Sequence, residues 1–322
     1  MSDQGRPARI VVVGSANQDY IVGVAAPPGP GETVMATSLL TQPGGKGANQ
    51  AVAAARLRGD VSLVACVGDD ADGARLIREL RSEGVDTTEV EIISRGRTGL
   101  ALVSVWASGE NSITVVPGTN FSLTAERVGR AVSRIAGDLV GAGAIVVAQA
   151  EVLPEIIHAA VLAATDAGAR MILNLAPFQP LPATLLAGCD PLVLNEAEAS
   201  GLLGWSVRGA EAAGRAVEEL RARTRSVVVT VGAEGACWAD ARGAGRVAAP
   251  AGAEVVDTTG AGDAFVGALA ARLAAGETLE EAVRTGVLAG TFAVSSPGAQ
   301  SSYPTQADLG LGETLVAPRA SS

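Results

Sequence analysis

Histidine is almost missing from this chain: among 322 residues there is one, His158. A metal centre built on several imidazoles is thereby excluded. His158 falls within a helical pattern, Pro154–Gly168, where a Ser/His/Asp triad is a poor reading. Cysteine is scarce and odd in number. Cys66, Cys189 and Cys237 lie far apart with no CxxC pairing. That argues against a zinc ribbon or a disulfide framework and fits a reducing, cytoplasmic setting. Positive charge is in deficit, 24 Lys and Arg against 34 Asp and Glu, for a net charge of −10. Such a chain is a poor partner for nucleic acid or an anionic membrane, so any phosphate it holds must be held locally. Long apolar runs are also lacking. The uncharged stretches 171–189 and 285–306 are broken by prolines or are rich in Ser, Gly and Gln. Neither reads as a membrane span. The polar start, Met1–Arg9, precedes an apolar run (Ile10–Val13) too short for a signal peptide.

What is present is a chain that can build a large core. Hydrophobic residues make up 48% and charged residues 18%, which rules out disorder as a whole. Short runs rich in Val and Ile predict strands at Ile10–Gly14, Ser62–Gly68, Ala144–Gln149, Met171–Leu175, Leu192–Asn195 and Ser226–Val231. Each is nearly all apolar, as expected of strands covered on both faces. Between them the pattern predicts helices at Ala48–Arg58, Ala71–Glu83, Thr124–Ala136, Pro154–Ala167, Glu211–Ala222, Gly262–Ala274 and Leu279–Ser295. Thr278 with Glu281 fits a capping box. The alternation predicts an α/β fold, a mostly parallel sheet with helices on both faces, over residues 10–312. Two segments depart from it. Residues 18–43 read as short strands with proline turns, and 98–117 alternate as a hairpin turning at Ser108–Asn111. They predict a small antiparallel sheet, either a lid over a cleft or a plain edge extension. Residues 1–9 and 313–322 read as loose tails.

Five motifs carry candidate chemistry. The strongest is Asp257-Thr258-Thr259-Gly260-Ala261-Gly262-Asp263, which opens a helix. Successive small residues let backbone N–H groups converge as a nest for a phosphate, and the helix start adds positive potential. Asp263 is placed to accept a proton from an attacking alcohol. Because the chain has 40 glycines, short Gly matches arise cheaply, and an ordinary helix cap is the competing reading. The second is Pro43-Gly44-Gly45-Lys46-Gly47-Ala48-Asn49-Gln50, which holds the only lysine of the chain. A compact ammonium suits a phosphate oxygen where a guanidinium would not fit. The motif is not a Walker A loop, since Gly47 follows the lysine. Asn49 is placed to reach a hydroxyl.

The third is Gly14-Ser15-Ala16-Asn17-Gln18-Asp19, directly after the first strand, where open α/β sheets bind ligands. Asn17 and Asp19 alternate and offer donors and acceptors to vicinal hydroxyls. The fourth is Asn195-Glu196-Ala197-Glu198. Asn195 and Glu198 share a helix face and could hold a hydrated magnesium near phosphates, or simply begin a helix. The fifth is the polar, uncharged loop Ser295–Ser302, a weak candidate for a monovalent cation. No Gly-x-Gly-x-x-Gly follows the first strand, so a nicotinamide-dependent dehydrogenase is a poor reading.

Together these motifs, with Gly109-Glu110-Asn111 and Pro117-Gly118-Thr119-Asn120, resemble the ribokinase branch of the PfkB carbohydrate kinase family over about Ile10 to Pro304. The resemblance implies transfer of the ATP γ-phosphoryl group to the 5-hydroxyl of ribose, with Asp263 as base and the Gly260, Ala261, Gly262 and Asp263 backbone as anion hole. It implies a sugar site of Asn17, Asp19, Gly45, Lys46, Asn49 and Glu151, with Lys46 also near the transferred phosphate. Asn195, Glu198, Thr230, Val231, Gly232, Ala233, Glu234 and Gly235 would line the nucleotide side, and Val287 falls where adenine is touched. Asp257, Thr259, Ala293, Ser296, Gly298 and Ser302 match an activating potassium loop, which here carries Pro297. The implied cofactors are ATP, Mg2+ and K+. The implied assembly is a homodimer through the β lid. A sibling kinase for deoxyribose, fructose or adenosine is the alternative, and a non-catalytic sugar-binding protein is disfavoured by the intact Gly260–Asp263 set.

Overall fold

The computed structural model describes residues 8–106, 111–137 and 143–311. In chain order the first half holds β1 (Arg9–Val13), β2 (Asn17–Val24), β3 (Ser38–Gly44), α1 (Lys46–Arg56), β4 (Asp60–Gly68), α2 (Ala71–Ser82), β5 (Val90–Ile93), β6 (Gly99–Trp106), β7 (Asn111–Val116) and α3 (Ala125–Gly137). The second half holds β8 (Ala144–Gln149), α4 (Pro154–Asp166), β9 (Arg170–Asn174), α5 (Ala183–Leu186), β10 (Cys189–Asn195), α6 (Glu196–Leu203), α7 (Gly209–Arg221), β11 (Val227–Thr230), β12 (Ala236–Ala239), β13 (Ala244–Val247), α8 (Ala261–Ala274) and α9 (Leu279–Ala293). Among the described residues no helix is long and apolar enough to cross a membrane.

Nine strands form one sheet in the order β13-β12-β11-β10-β9-β8-β1-β4-β5. The pairings from β5 through β11 are parallel, and β12 and β13 add an antiparallel edge. The apolar runs are explained by burial on both faces. Along β1, Ile10 and Val12 belong to one core and Val11 and Val13 to the other. The first core is closed by α1, α2, α8 and α9. The second is closed by α3, α4 and α7, with smaller contributions from α5 and α6. The chain runs outward from β1 to β4 and β5, then returns to β8 on the other side of β1. This reversal leaves a crevice at the carboxyl ends of β1 and β8, the usual ligand position in such sheets.

The second sheet has four strands in the order β3-β2-β6-β7. Its outer pairs, β2 with β3 and β6 with β7, are antiparallel, as the hairpin pattern predicts. The central pair, β2 with β6, is parallel, with Asn17 opposite Gly99 and Val24 opposite Trp106. The predicted turn at Ser108–Asn111 lies outside the described residues except for Asn111, as do the tails except for residues 8 and 9.

Helix capping follows the sequence. Thr278 accepts from the Glu281 N–H while the Glu281 side chain accepts from the Thr278 N–H, the reciprocal box expected of that spacing. Thr124 likewise accepts from the Arg127 N–H at 3.3 Å at the start of α3.

Two alanine-rich helices, α1 and α8, pack at a close approach. A Cβ added at Gly267 would stand 2.7 Å from the Gln50 carbonyl oxygen and 2.8 Å from the Ala54 nitrogen. The backbones therefore meet with no room between them, and this proximity brings the two helix N-termini together. Arg56, near the end of α1, donates to the carbonyls of Gln300 (2.7 Å) and Tyr303 (2.8 Å), pinning the 298–304 loop to the same helix. Gly267→Val should overpack this contact and cost roughly 1–3 kcal/mol of stability. The check is the urea midpoint, and an unchanged midpoint would show that the helices separate without cost.

Candidate active site

The carboxyl ends of β1, β8 and β9 and the N-termini of α1 and α8 surround one cluster. Asp263, in the first turn of α8, is buried, with 6% of its surface exposed. Its Oδ2 accepts from Asn49 Nδ2 at 3.0 Å and its Oδ1 from Gln50 Nε2 at 2.8 Å. Both donors come from the first turn or so of α1. The nest beside Asp263 forms because Gly260 adopts a left-handed φ of 77°. A side chain there would be strained and would also approach the Tyr303 hydroxyl to 2.6 Å. The first-turn N–H groups have no carbonyl four residues back within the helix. That of Ala261 reaches the Thr258 carbonyl only at 3.3 Å. Gly262 is exposed, and a Cβ there would meet open space. The amides thus lie beside open space, with the acid next to them.

Lys46 begins α1. Its backbone N–H donates to Glu151 Oε2 at 3.0 Å, and the Ser15 hydroxyl donates to the same oxygen at 2.6 Å. The negative charge of Asp263, ahead of Glu151, Glu198 and Asp19, raises the Lys46 ammonium above its ordinary pKa despite burial. This one cation therefore stands among four carboxylates. Asp19 feels the excess. Burial first, then Glu151 and Asp263, push its carboxyl up to about 7, against the opposing pull of Lys46. Asn17 lies two residues earlier on β2. Its Oδ1 accepts from Asn120 Nδ2 at 2.7 Å, and Asn120 Oδ1 in turn accepts from the Ala16 N–H at 2.9 Å. The Asn17 carbonyl is thereby taken, which leaves its NH2 to offer outward. Gly45, the N-cap of α1, is backbone packed against the Asn17 nitrogen.

Asn195 and Glu198 do come together, as a capping box. Glu198 N–H donates to Asn195 Oδ1 at 2.9 Å and Asn195 N–H donates to Glu198 Oε2 at 2.8 Å. The spacing that suggests a magnesium pair is thus used first to start α6. Burial raises the Glu198 pKa, with the Asn195 N–H and Lys46 opposing. The Thr230–Gly235 turn follows β11, with Gly232, Ala233 and Glu234 exposed. Glu234 accepts from the Ala210 N–H at 3.3 Å and pairs with Arg246 at 3.3 Å. Val287 is core, 4% exposed, in the layer shared with Ala236, Trp238 and Val247.

The two halves of the expected cation loop are stitched to each other. Asp257 Oδ2 accepts from the Gly298 N–H at 2.8 Å and Oδ1 from the Thr259 N–H at 2.9 Å. Burial alone would raise the Asp257 pKa, but these N–H donors outweigh it and hold it low. The Val294 carbonyl accepts from Val256 and Asp257, which brings Ala293 and Ser296 beside the 257–259 segment. Ser301 Oγ donates to the Pro297 carbonyl at 3.0 Å, and Ser302 Oγ donates to the Ala299 carbonyl at 2.8 Å. Asp257 is therefore committed to backbone donors, and main-chain carbonyls are the oxygens this loop has to offer.

Four buried residues of the cluster are given no role by the motif reading, Gln50 and Gln300 inside quoted motifs and Gln149 and Asn174 outside them, all less than 9% exposed. The signal for two of them is a polar residue at the end of an otherwise apolar strand, Gln149 on β8 and Asn174 on β9. Their partners lie 99 and 124 positions away, at Gln50, and no local pattern reveals such pairings.

The comparisons with known proteins agree with this fold. The model of the pfkB family carbohydrate kinases matches residues 7–306. A ribokinase of Haemophilus influenzae is 34% identical over 298 residues, covering 92% of this chain and 95% of that protein. A deoxyribokinase of Salmonella typhi is 36% identical over 305 residues, with the same two shares. Among solved structures, Arabidopsis thaliana ribokinase complexed with ribose and ATP superposes with a TM-score of 0.83 at 32% identity, covering 94% of this chain and 98% of that one. Since the family match spans nearly the whole chain and the fold agrees, this chain belongs to the PfkB family of carbohydrate kinases.

Proposed function

We propose that the chain is an ATP-dependent sugar kinase that phosphorylates the 5-hydroxyl of D-ribose, with Asp263 as the general base. The observation that carries this reading is the position of Asp263: a carboxylate with both oxygens fixed by amide donors, at the mouth of a helix whose first N–H groups have no acceptor four residues back within the helix, beside the only lysine. Phosphoryl transfer asks for positioning and charge neutralisation more than covalent help. The Gly260–Asp263 backbone and Lys46 supply the neutralisation, and Asp263 takes the hydroxyl proton. Asn17, Asp19, Gly45, Asn49 and Glu151 hold the sugar. Asn49 Nδ2 gives one hydrogen to Asp263 and keeps a second for a hydroxyl. The Thr230–Gly235 turn, with Asn195 and Glu198, takes the nucleotide, and Val287, being core, acts only from beneath that surface.

Two ions complete the reading. No group of three or more His, Cys, Asp or Glu among the described residues is arranged for a metal. The donor set thus suits a magnesium ion that arrives on the nucleotide phosphates and keeps most of its waters. Such an ion would offset the carboxylate excess around Lys46. The oxygen-rich, uncharged 293–302 loop, tied to Asp257, suits a monovalent cation held by the carbonyls of Asp257, Thr259, Ala293, Ser296 and Gly298 and by Ser302. Three buried, unpaired cysteines suit the reducing cytoplasm.

The deoxyribokinase likeness gives the substrate alternative its specific support. A coupled ADP assay over ribose, deoxyribose, fructose and adenosine, with and without potassium, separates the readings. Ribose should give the highest kcat/KM. In the same assay Asp263→Asn should lower kcat by at least about 10²-fold with its fold intact; a near-native kcat would remove Asp263 from the role of base.

Asp19 adds a pH dependence. Its carboxyl titrates at about 7, and only the ionised form accepts hydroxyl donors at both oxygens. The KM for ribose should therefore rise as pH falls through about 7, with kcat less affected. Asp19→Asn should flatten that profile, and an unchanged slope in this variant would assign the titration elsewhere.

The lid sheet exposes Leu39, Leu40, Ile113, Val115 and Val116, and Met35 beside it is 86% exposed. So much apolar surface on one small sheet suits burial against a second copy. Sedimentation velocity should give twice the monomer mass, with Leu39→Asp returning the chain to a monomer; a native monomer would dismiss the homodimer.

A further inference from the structure

Five buried amide side chains surround Asp263, and the orientation of each can be deduced. Nitrogen and oxygen of an amide are interchangeable by shape alone, so the argument must begin from groups with one possible role. An ionised Asp263 can only accept. Asn49 and Gln50 must therefore turn their NH2 groups toward it, as they do at 3.0 and 2.8 Å. Their carbonyl oxygens then face away and need donors behind them. Gln300 Nε2 supplies one to Asn49 Oδ1 at 3.0 Å, and Gln149 Nε2 supplies the other to Gln50 Oε1 at 2.7 Å. A second fixed end agrees. Asn174 Nδ2 donates to the Val193 carbonyl at 3.3 Å, so its Oδ1 is left to accept the remaining Gln50 hydrogen, at 3.0 Å.

Gln149 is the telling member. It is completely buried, and its Oε1 has no hydrogen-bond partner in the structure. Leaving a buried carbonyl unpaired is costly. Its own surroundings therefore do not choose this orientation. The demand of Asp263, passed through Gln50, does.

Resting on the assignment of Asp263 as base, we propose that Gln149, acting through Gln50, is a positioning residue that sets the direction in which the Asp263 carboxylate presents its remaining lone pairs to the acceptor hydroxyl. Gln149 touches neither sugar nor phosphate in this role. It fixes the polarity of the Gln50 amide. If that polarity reverses, the Gln50 oxygen faces the carboxylate and repels it out of line.

The test uses the full-length protein with Gln149→Leu and Gln149→Glu. The leucine removes the donor. Its kcat should fall by about 10- to 10²-fold, the scale of a slight misplacement of a reacting group, while the ribose KM stays within about twofold. The glutamate reads polarity. As a carboxylate it forces Gln50 to turn; as a neutral acid its O–H can donate to Gln50 Oε1, and burial raises its pKa toward the measurable range. The kcat of Gln149→Glu should therefore recover relative to Gln149→Leu as pH is lowered from about 8 to about 6. A leucine variant with near-native kcat overturns the proposal. So does a glutamate variant whose ratio to the leucine variant is flat with pH, or a KM rise that matches the kcat loss. Should circular dichroism show either variant unfolded, Gln300→Leu tests the other arm through Asn49, where kcat should fall by the same factor together with a rise in ribose KM, since Asn49 also holds the sugar, and a native kcat overturns the proposal. Asp263→Asn separates the two levels. Its loss of activity beside an active Gln149→Leu sinks only the positioning role, whereas a near-native Asp263→Asn removes the base and this role together.

Discussion

The contact on which this site depends is the pair of hydrogen bonds from Asn49 and Gln50 to Asp263, across the meeting of two helix N-termini. The residues are 214 and 213 positions apart in sequence. The pair forms only because α1 and α8 approach backbone to backbone at Gly267, which in turn needs a helix interface made of Gly and Ala. Larger residues on either helix would part the N-termini by the width of a side chain, and the acid would lose both donors. Packing thus comes first and the geometry around Asp263 follows from it. The same apposition points two positive helix ends toward one concavity.

The electrostatics follow from the scarcity of cations. Over the whole chain acid exceeds base by ten charges, and within the cluster four carboxylates surround a single ammonium. Such a site cannot attract a bare triphosphate by net charge. It can do so by backbone dipoles, which carry no counter-charge to balance, and by a metal ion brought with the nucleotide. Burial raises the pKa of Asp19 first, and the neighbouring carboxylates Glu151 and Asp263 add to it. A positive charge arriving with a nucleotide would offset the carboxylate share of that shift, and in the proposed reading this would link the charge state of Asp19 to occupancy beside Asp263.

Much of this was legible in the sequence. The valine-rich runs became parallel strands because burial on both faces leaves them no polar positions, and the Thr278–Glu281 box formed as spelled. The Asp257–Asp263 run did open a helix with its glycine in a left-handed turn. The failures share a cause in distance. The edge hairpin of β12 and β13 lies in a stretch, Ala236–Val247, whose glycines and charges dilute the strand pattern, and the pairing with β11 supplies what local propensity does not. The parallel pairing of β2 with β6 joins segments some 80 residues apart, as Asn17 with Gly99. Asn195 and Glu198 show a subtler limit. Their three-residue spacing serves a capping box and a shared ligand face equally well, and only the hydrogen bonds decide which use comes first.

The mixed lid sheet can be understood from the strand it begins with. β2 leaves the end of β1 at the crevice, so its first residues, Asn17 and Asp19, face the cluster while the rest extends outward as sheet. Gln18, on the opposite face, ties the strand to its neighbour through the Gln42 carbonyl. The proposed sugar ligands and the small sheet are therefore one continuous element. A hairpin inserted at a distant loop could cover the cleft, but it would have to find the substrate independently. Here any tilt of the sheet about its base must move Asn17 and Asp19 as well, and a sugar held by both resists that tilt. In the proposed reading binding and covering would therefore be mechanically coupled, and the parallel partner β6, with Gly99 beside Asn17, ties down the base of the sheet.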